Sequence, residues 1–220
     1  MDDQEDNDYS EIETKNPREI SESFVQTAVI FEGLLVVVAI FLGWASETTV
    51  WVSASSETAS LFEIAKAMGW GVLATLPMIV LLHFLEHEEN NLFTDLRQLM
   101  QSQIVPLFCK ASVWELAVVA LAAGVGEEAL FRGMLQSWFI TSIGSAYSPL
   151  IGILLASILF GLVHYVTTEY AILAAVMGLY FGLLFWRTED LIVPITVHFL
   201  YDWYAMVYLR NKHNRNQNQG

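Results

Sequence analysis

The sequence predicts an all-α, polytopic transmembrane helix bundle of about six spans, with an added interfacial amphipathic helix. Three observations carry this. Of 220 residues, 55% are hydrophobic and 15% charged, against about 25% charged in an average soluble domain. The mean hydropathy is +0.46. Apolar runs near 20 residues long, enough for a bilayer core of about 30 Å, recur along the chain. The balance of 10 Lys+Arg against 24 Asp+Glu, net charge −14, excludes a basic nucleic-acid binder. A single cysteine, Cys109, excludes an intrachain disulfide framework or a cysteine-rich zinc module.

The elements follow in order. Residues 1–23 form an acidic segment in which Asp2, Asp3, Glu5, Asp6, Asp8, Glu11, Glu13, Glu19 and Glu22 face only Lys15 and Arg18. It lacks the basic start of a signal peptide and the apolar content to fold alone, so it reads as a disordered, solvated tail. Residues 24–91 hold two spans, Phe24–Trp44 with one acid, Glu32, and Phe62–Phe84 with Glu63 and Lys66 near its start. Asn91–Lys110 places Leu92, Leu96, Leu99 and Met100 at helical spacing among polar residues, the pattern of an interfacial amphipathic helix or an ordinary loop helix. Residues 92–209 carry the remaining spans: Ser112–Phe139, Pro149–Tyr165, Tyr170–Trp186 and Leu191–Leu209. Residues 210–220 are a polar, disordered tail.

An even number of spans puts both ends on one side of the membrane. With both termini in the cytosol, Lys15, Arg18, Arg97, Lys110, Arg210, Lys212 and Arg215 lie inside and only Arg187 in an outer loop, in accord with the positive-inside rule. The chain thus reads as a multi-pass integral membrane protein with the bilayer as its first partner.

Charges within spans are costly and point to function. Glu127, Glu128 and Arg132 lie in GVGEEALFRGML, His164 in FGLVHY, and His198 with Asp202 in VHFLYDW, each group on a different helix. Glu128 and Arg132 are four apart with the acid first, the favoured order for a helical ion pair. Glu127 points about 100° away from Glu128, which leaves it free to face a cavity with His164 and His198. A carboxylate and an imidazole around one water make an activated nucleophile for hydrolysis. A second imidazole backed by a carboxylate makes a donor to a developing oxyanion. An ionised Asp202 only accepts hydrogen bonds, so it is expected to grip one nitrogen of His198 and leave the other as donor; a protonated Asp202 would donate directly. At 1.5 Å per residue, Glu127 lies ~22 Å from Ser112, His198 ~10 Å from Leu191 and His164 ~22 Å from Pro149. By that count, His164 falls about a dozen ångströms nearer the cytosol than the other two.

EEALFRG (Glu127–Gly133), FGLVH (Phe160–His164) and HFLYD (His198–Asp202), in that order on separate helices, resemble the three motifs of the CAAX protease and bacteriocin-processing family, also called Abi. That family includes the type II CAAX prenyl endopeptidases, which are glutamate intramembrane proteases. The resemblance covers residues 92–209. It implies that Glu127 activates water with His164, that Glu128 and Arg132 fill the other polar positions of the first motif, and that His198 stabilises the oxyanion. Phe160 matches the aromatic of the second motif, packed against the site. Asp202 departs from the pattern, since the prenyl endopeptidases typically have Asn there; this favours the orienting role.

The expected function is therefore an intramembrane peptidase that hydrolyses a peptide bond of a membrane-associated protein or peptide, with no cofactor and no metal. Glu127, His164, His198 and Asp202 are of types that bind zinc, but the chain has no HExxH and the resemblance argues against a metal. The alternative is a non-catalytic membrane scaffold or bacteriocin self-immunity-type protein of the same fold. A proton-coupled transporter is disfavoured because no repeat is visible. His83 and His87 read as a solvated helix end rather than a metal pair. Met100, Met134 and the stripe Tyr180, Phe181, Phe185 and Trp186 read as packing or lipid contacts, and Cys109 as inert.

Overall fold

The computed structural model describes residues 16–51, 60–87 and 94–219. Among them the chain is helical and without strands: α1 (Pro17–Ala45), α2 (Leu61–His87), α3 (Thr94–Leu99), the π-helical π1 (Met100–Ile104), α4 (Val105–Phe108), α5 (Val113–Glu128), the π-helical π2 (Ala129–Gln136), α6 (Ser137–Ile143), α7 (Ser148–Val163), α8 (Thr168–Thr188) and α9 (Ile192–Gln217). Four helices among the described residues, α1, α2, α8 and α9, are long and apolar enough to cross a membrane, and the bent pair Leu96–Phe108 with Val113–Ile143 brings the number to five if its two arms count as one span. The expected sixth span is the shorter α7, 16 residues, or ~24 Å at helical rise.

The surface is apolar. Phe31, Trp44, Phe62, Trp70, Phe84, Trp114 and Leu162 are all more than half exposed, which a protein in water would not tolerate over so wide an area. Lipid is the solvent of this surface, and the chain is an integral membrane protein. In α1 the buried and half-buried positions run 20, 21, 24, 25, 28, 29, 32, 35, 36, 39, 42 and 43, a stripe of helical period turned to the bundle. In α2 the stripe is Ala67, Gly71, Thr75, Met78 and Leu82; Met78 and Leu82 pack on Phe181, Val197 and Tyr201.

Several boundaries differ from the sequence reading, each for a local reason. Helix α1 begins at Pro17, inside the expected tail, because Asn16 caps it by accepting from the Arg18 N–H at 3.0 Å. Arg18 also clamps Glu115 through two hydrogen bonds, Nη1–Oε2 at 2.9 Å and Nη2–Oε1 at 2.7 Å. Residues 1–15 lie outside the described residues. The amphipathic stretch is helical from Thr94 to Phe108, with a π-helical turn at Met100–Ile104; Asn91–Phe93 lie outside the described residues. Val105 and Phe108 are buried in one cluster, with Phe24, Met100 and Ile104 packed against it.

At the 109° bend between the α3–α4 segment and α5, backbone groups leave the helical ladder and must be satisfied in a medium poor in donors. Asn214 donates to the Cys109 carbonyl at 3.1 Å, Arg18 to Lys110 at 3.0 Å, Arg210 to Ala111 at 2.8 Å and the Trp203 indole to Val113 at 3.0 Å. Two of these donors, Arg210 and Asn214, belong to the expected C-terminal tail, which is a continuation of α9 to Gln217. Ser112 and Glu115 close a capping box at the start of α5.

Helices α1 and α5 touch backbone to backbone at Gly126. A Cβ there would overlap the Glu32 carbonyl oxygen, whereas one on Gly33 meets nothing within 4 Å. Gly126→Val should therefore lower stability by ~1–3 kcal/mol through overpacking, read as a lower melting temperature in detergent. Gly33→Ala should be neutral or stabilising by up to ~1 kcal/mol through helix propensity.

Candidate active site

Residues Val113–Ile143 run as one long helical segment interrupted by π2. The turn that follows uses Gly144 in the left-handed conformation, φ +58°, which glycine adopts without steric penalty. Glu127 lies sixteen residues before Ile143, and His164 sixteen residues after Ser148. Counted from this shared turn, both stand ~24 Å along their helices. The gap expected from the sequence is absent, because the segment extends past Phe139 and the two heights are set at the turn rather than at two membrane faces.

The structure brings Glu127, His164, His198 and Asp202 together. Glu127 Oε2 lies 3.5 Å from His164 Nε2 and 3.9 Å from His198 Nε2. Asp202 Oδ2 lies 3.4 Å from His198 Nε2. Glu127 Oε2 is buried and has no hydrogen-bond partner among the described residues. Separations at and beyond 3.5 Å between such groups suit a bridging water better than a direct bond. His164 caps α7 and its Nδ1 sits 2.8 Å from the Phe160 carbonyl. A carbonyl only accepts, so Nδ1 carries the proton and Nε2 faces Glu127.

The neighbouring acid has a different task. Glu128 and Arg132 have side-chain exposures of 0% and 1%, and Glu128 Oε1 lies 3.2 Å from Arg132 Nη1. The same oxygen is 2.8 Å from His198 Nδ1. Glu128 thus holds Nδ1 of His198 across 70 residues of sequence, while Asp202, expected to grip one nitrogen of that ring, stands at Nε2, 3.4 Å away. Residues 198 and 202 share a face, but the Nδ1 edge of the ring turns to α5.

Arg132 also donates to the Gly178 carbonyl at 3.1 Å, and one turn on, Gln136 donates to the Gly182 carbonyl at 3.1 Å. The guanidinium carbon lies 4.5 Å from the Phe160 ring centroid and 5.3 Å from that of Phe181, within cation–π range. Phe160 stacks on His164 at 4.4 Å, and Phe181 on His198 at 4.9 Å. Of the two readings of the aromatic stripe, Phe181 takes the packing one, as part of the site's wall. Tyr170, whose ring is 6.3 Å from His164, was likewise not singled out. His83 does not end in solvent: its Nε2 is 2.7 Å from the Tyr204 hydroxyl and its ring stands edge-on to Tyr208. Among the described residues no three His, Cys, Asp or Glu side chains form a metal-binding group.

An apolar cavity of about 290 Å³ opens beside Asp202, between α2, α3, π1, α8 and α9, lined by Leu82, Met100, Tyr170, Met177 and Leu209 among others. His164 and Asp202 are the more open members of the site, 24% and 29% exposed, against 10% for Glu127 and 4% for His198.

Residues 109–204 match the family model described as type II CAAX prenyl endopeptidase Rce1-like. The match takes in α5, π2, α6, α7, α8 and the first half of α9, with every motif residue above, and leaves α1 and α2 outside. No curated protein and no solved structure matches the chain. A buried acid doublet, two aromatic-stacked imidazoles and this match coincide on one set of helices: residues 109–204 form a domain similar to the type II CAAX prenyl endopeptidases, Rce1-like.

Proposed function

We propose that this membrane protein is a peptidase that hydrolyses a peptide bond of a membrane-associated protein or peptide, with water activated by Glu127 and His164. The observation that carries the reading is the convergence of Glu127 Oε2 with the Nε2 atoms of His164 and His198 at 3.5 and 3.9 Å. A water at their centre would give one proton to Glu127, with His164 Nε2 as the second acceptor, while its oxygen attacks the carbonyl carbon. The carbonyl oxygen then becomes an oxyanion facing His198 Nε2. To donate there, His198 carries protons on both nitrogens, and Glu128 at Nδ1 and Asp202 near Nε2 balance that charge. The proton held at Glu127 passes to the leaving nitrogen as the C–N bond breaks, giving a carboxylic acid and an amine. Stacking on Phe160 and Phe181 keeps each ring in its plane, so little ordering is left to the moment of reaction. The apolar cavity beside Asp202 would receive the lipid-embedded part of the substrate next to the scissile bond.

The deciding experiment is cleavage of a membrane-peptide library by the purified protein in lipid nanodiscs. Glu127→Gln and His164→Ala should each lose at least ~100-fold in kcat/KM, with melting temperatures near wild type. Wild-type turnover should withstand chelators. Full biological activity in both variants would instead favour a non-catalytic scaffold or self-immunity role, and loss of turnover on chelation would favour a metal. The assignment of His198 orientation has its own check. Glu128→Ala leaves Arg132 buried without its ion partner and should destabilise the fold by ~3–5 kcal/mol as well as abolish turnover. Asp202→Asn should keep its stability and at least about a third of the wild-type kcat, since Glu128 and not Asp202 fixes the ring.

A further inference from the structure

The N-terminal helix α1 lies outside the matched domain, yet it carries an ionisable residue, Glu32, against the stretch of α5 that holds Glu127. Glu32 sits on the buried stripe of α1, flanked by Phe31 and Leu34, which are 59% and 55% exposed to lipid. Its backbone is the surface that Gly126 packs against, one residue before Glu127. Its carboxylate stands within electrostatic range of Glu127, His198, Asp202 and His164. Glu32 Oε2 is shielded from solvent and has no hydrogen-bond partner among the described residues, the condition it shares with Glu127 Oε2 and Glu128 Oε2. Unpartnered buried acceptors are few in native proteins and call for an account, the more so within a membrane, where an acid is retained for a purpose. Helix packing does not supply one, since the close approach of α1 and α5 is made by the Glu32 backbone and the missing Gly126 side chain. What four neighbouring acceptors and two imidazoles have in common is a need for protic visitors.

We infer that Glu32 is a positioning residue of the site: a carboxylate contributed by α1 that accepts hydrogen bonds from the pocket's water and so orders the solvent that Glu127 activates. This rests on the proposed reading of Glu127 as the group that takes the water's proton. The domain at 109–204 then does not hold its full polar complement by itself, and α1 is an integral part of the reactive pocket rather than an added anchor.

The test compares wild type, Glu32→Gln, Glu32→Leu and the lipid-facing control Phe31→Leu, with Glu127→Gln alongside, in nanodiscs. Glu32→Gln keeps the shape of the side chain and should melt with wild type, so a purely structural role predicts no change in turnover. Under the inference its kcat falls about tenfold while KM stays within about twofold, and Glu32→Leu falls further. A second readout does not need turnover: the ring 15N resonances of His164 and His198 at fixed pH should move in Glu32→Gln and stay in place in Phe31→Leu. Wild-type kcat and unmoved resonances in Glu32→Gln would overturn the inference. If Glu127→Gln retains wild-type turnover, the peptidase mechanism fails, and the histidine resonances still decide whether Glu32 orders this pocket.

Discussion

One buried contact organises the rest of the molecule: the Glu128 carboxylate held between Arg132 and His198. Charges withdrawn from water cost several kcal/mol each unless they are paired and hydrogen-bonded, and lipid offers no substitute for that pairing. Arg132 meets the requirement by reaching Glu128 on α5, the Gly178 carbonyl on α8, and the faces of Phe160 on α7 and Phe181 on α8. His198 adds α9 through its 2.8 Å contact to Glu128. Four helices are thus bound to one ion pair. The π-helical turn after Glu128 carries both Arg132 and Gln136, whose donors meet Gly178 and Gly182 four residues apart on α8. A side chain at either glycine would crowd them: the added Cβ would stand 3.4 Å from Arg132 Nη2 or 2.7 Å from Gln136 Oε1.

This explains why two adjacent glutamates have separate fates. Glu128 Oε1 is committed to Arg132 and to His198. Glu127, a helical step away, has Oε2 facing two imidazoles with no hydrogen-bond partner among the described residues. The sequence alone was enough to separate the two, because their directions differ by about 100° on any α-helix and the i,i+4 spacing to Arg132 picks out the second. The three motifs, the helical class and the membrane setting were legible for the same reason: each depends on local spacing and composition. What spacing could not show is which nitrogen of His198 meets which acid. Glu128 and His198 are 70 residues apart, and the i,i+4 relation of Asp202 to His198 was the only relation visible from the chain. Helix heights were illegible too, since they follow from the left-handed turn at Gly144 and not from an assumed pair of membrane faces. Phe181 was hidden in a stripe of aromatics of which Trp186 does face outward.

The bend before α5 shows how much backbone accounting a membrane protein requires. Four side chains, from α1 and α9, donate to carbonyls at 109, 110, 111 and 113, and the Ser21 hydroxyl accepts from the Lys110 N–H at 3.2 Å. In water such groups would be met by solvent; here irregular backbone persists only where protein satisfies it. The polar end of α9 therefore has a structural task that its composition alone disguised as a tail. The same contacts fix where α5 starts, and through the rigid helix they fix where Glu127 stands.

The graded exposure across the site bears on how water and substrate would share it under the proposed reading. The charged anchor is closed, with Glu128 and Arg132 at 0% and 1%, while His164 and Asp202 stand more open than Glu127 and His198. His164 lies where α7 ends and the chain turns towards Thr167, and Asp202 borders the apolar cavity. An extended peptide laid between those two openings would pass its carbonyl over His198 and its reactive carbon over Glu127, without any helix parting from the Arg132 hub. Under that reading, hydrolysis in lipid would need no large opening of the bundle, and the contacts of Arg132 to Glu128 and Gly178 would stay in place while the solvent between Glu127 and the imidazoles is exchanged.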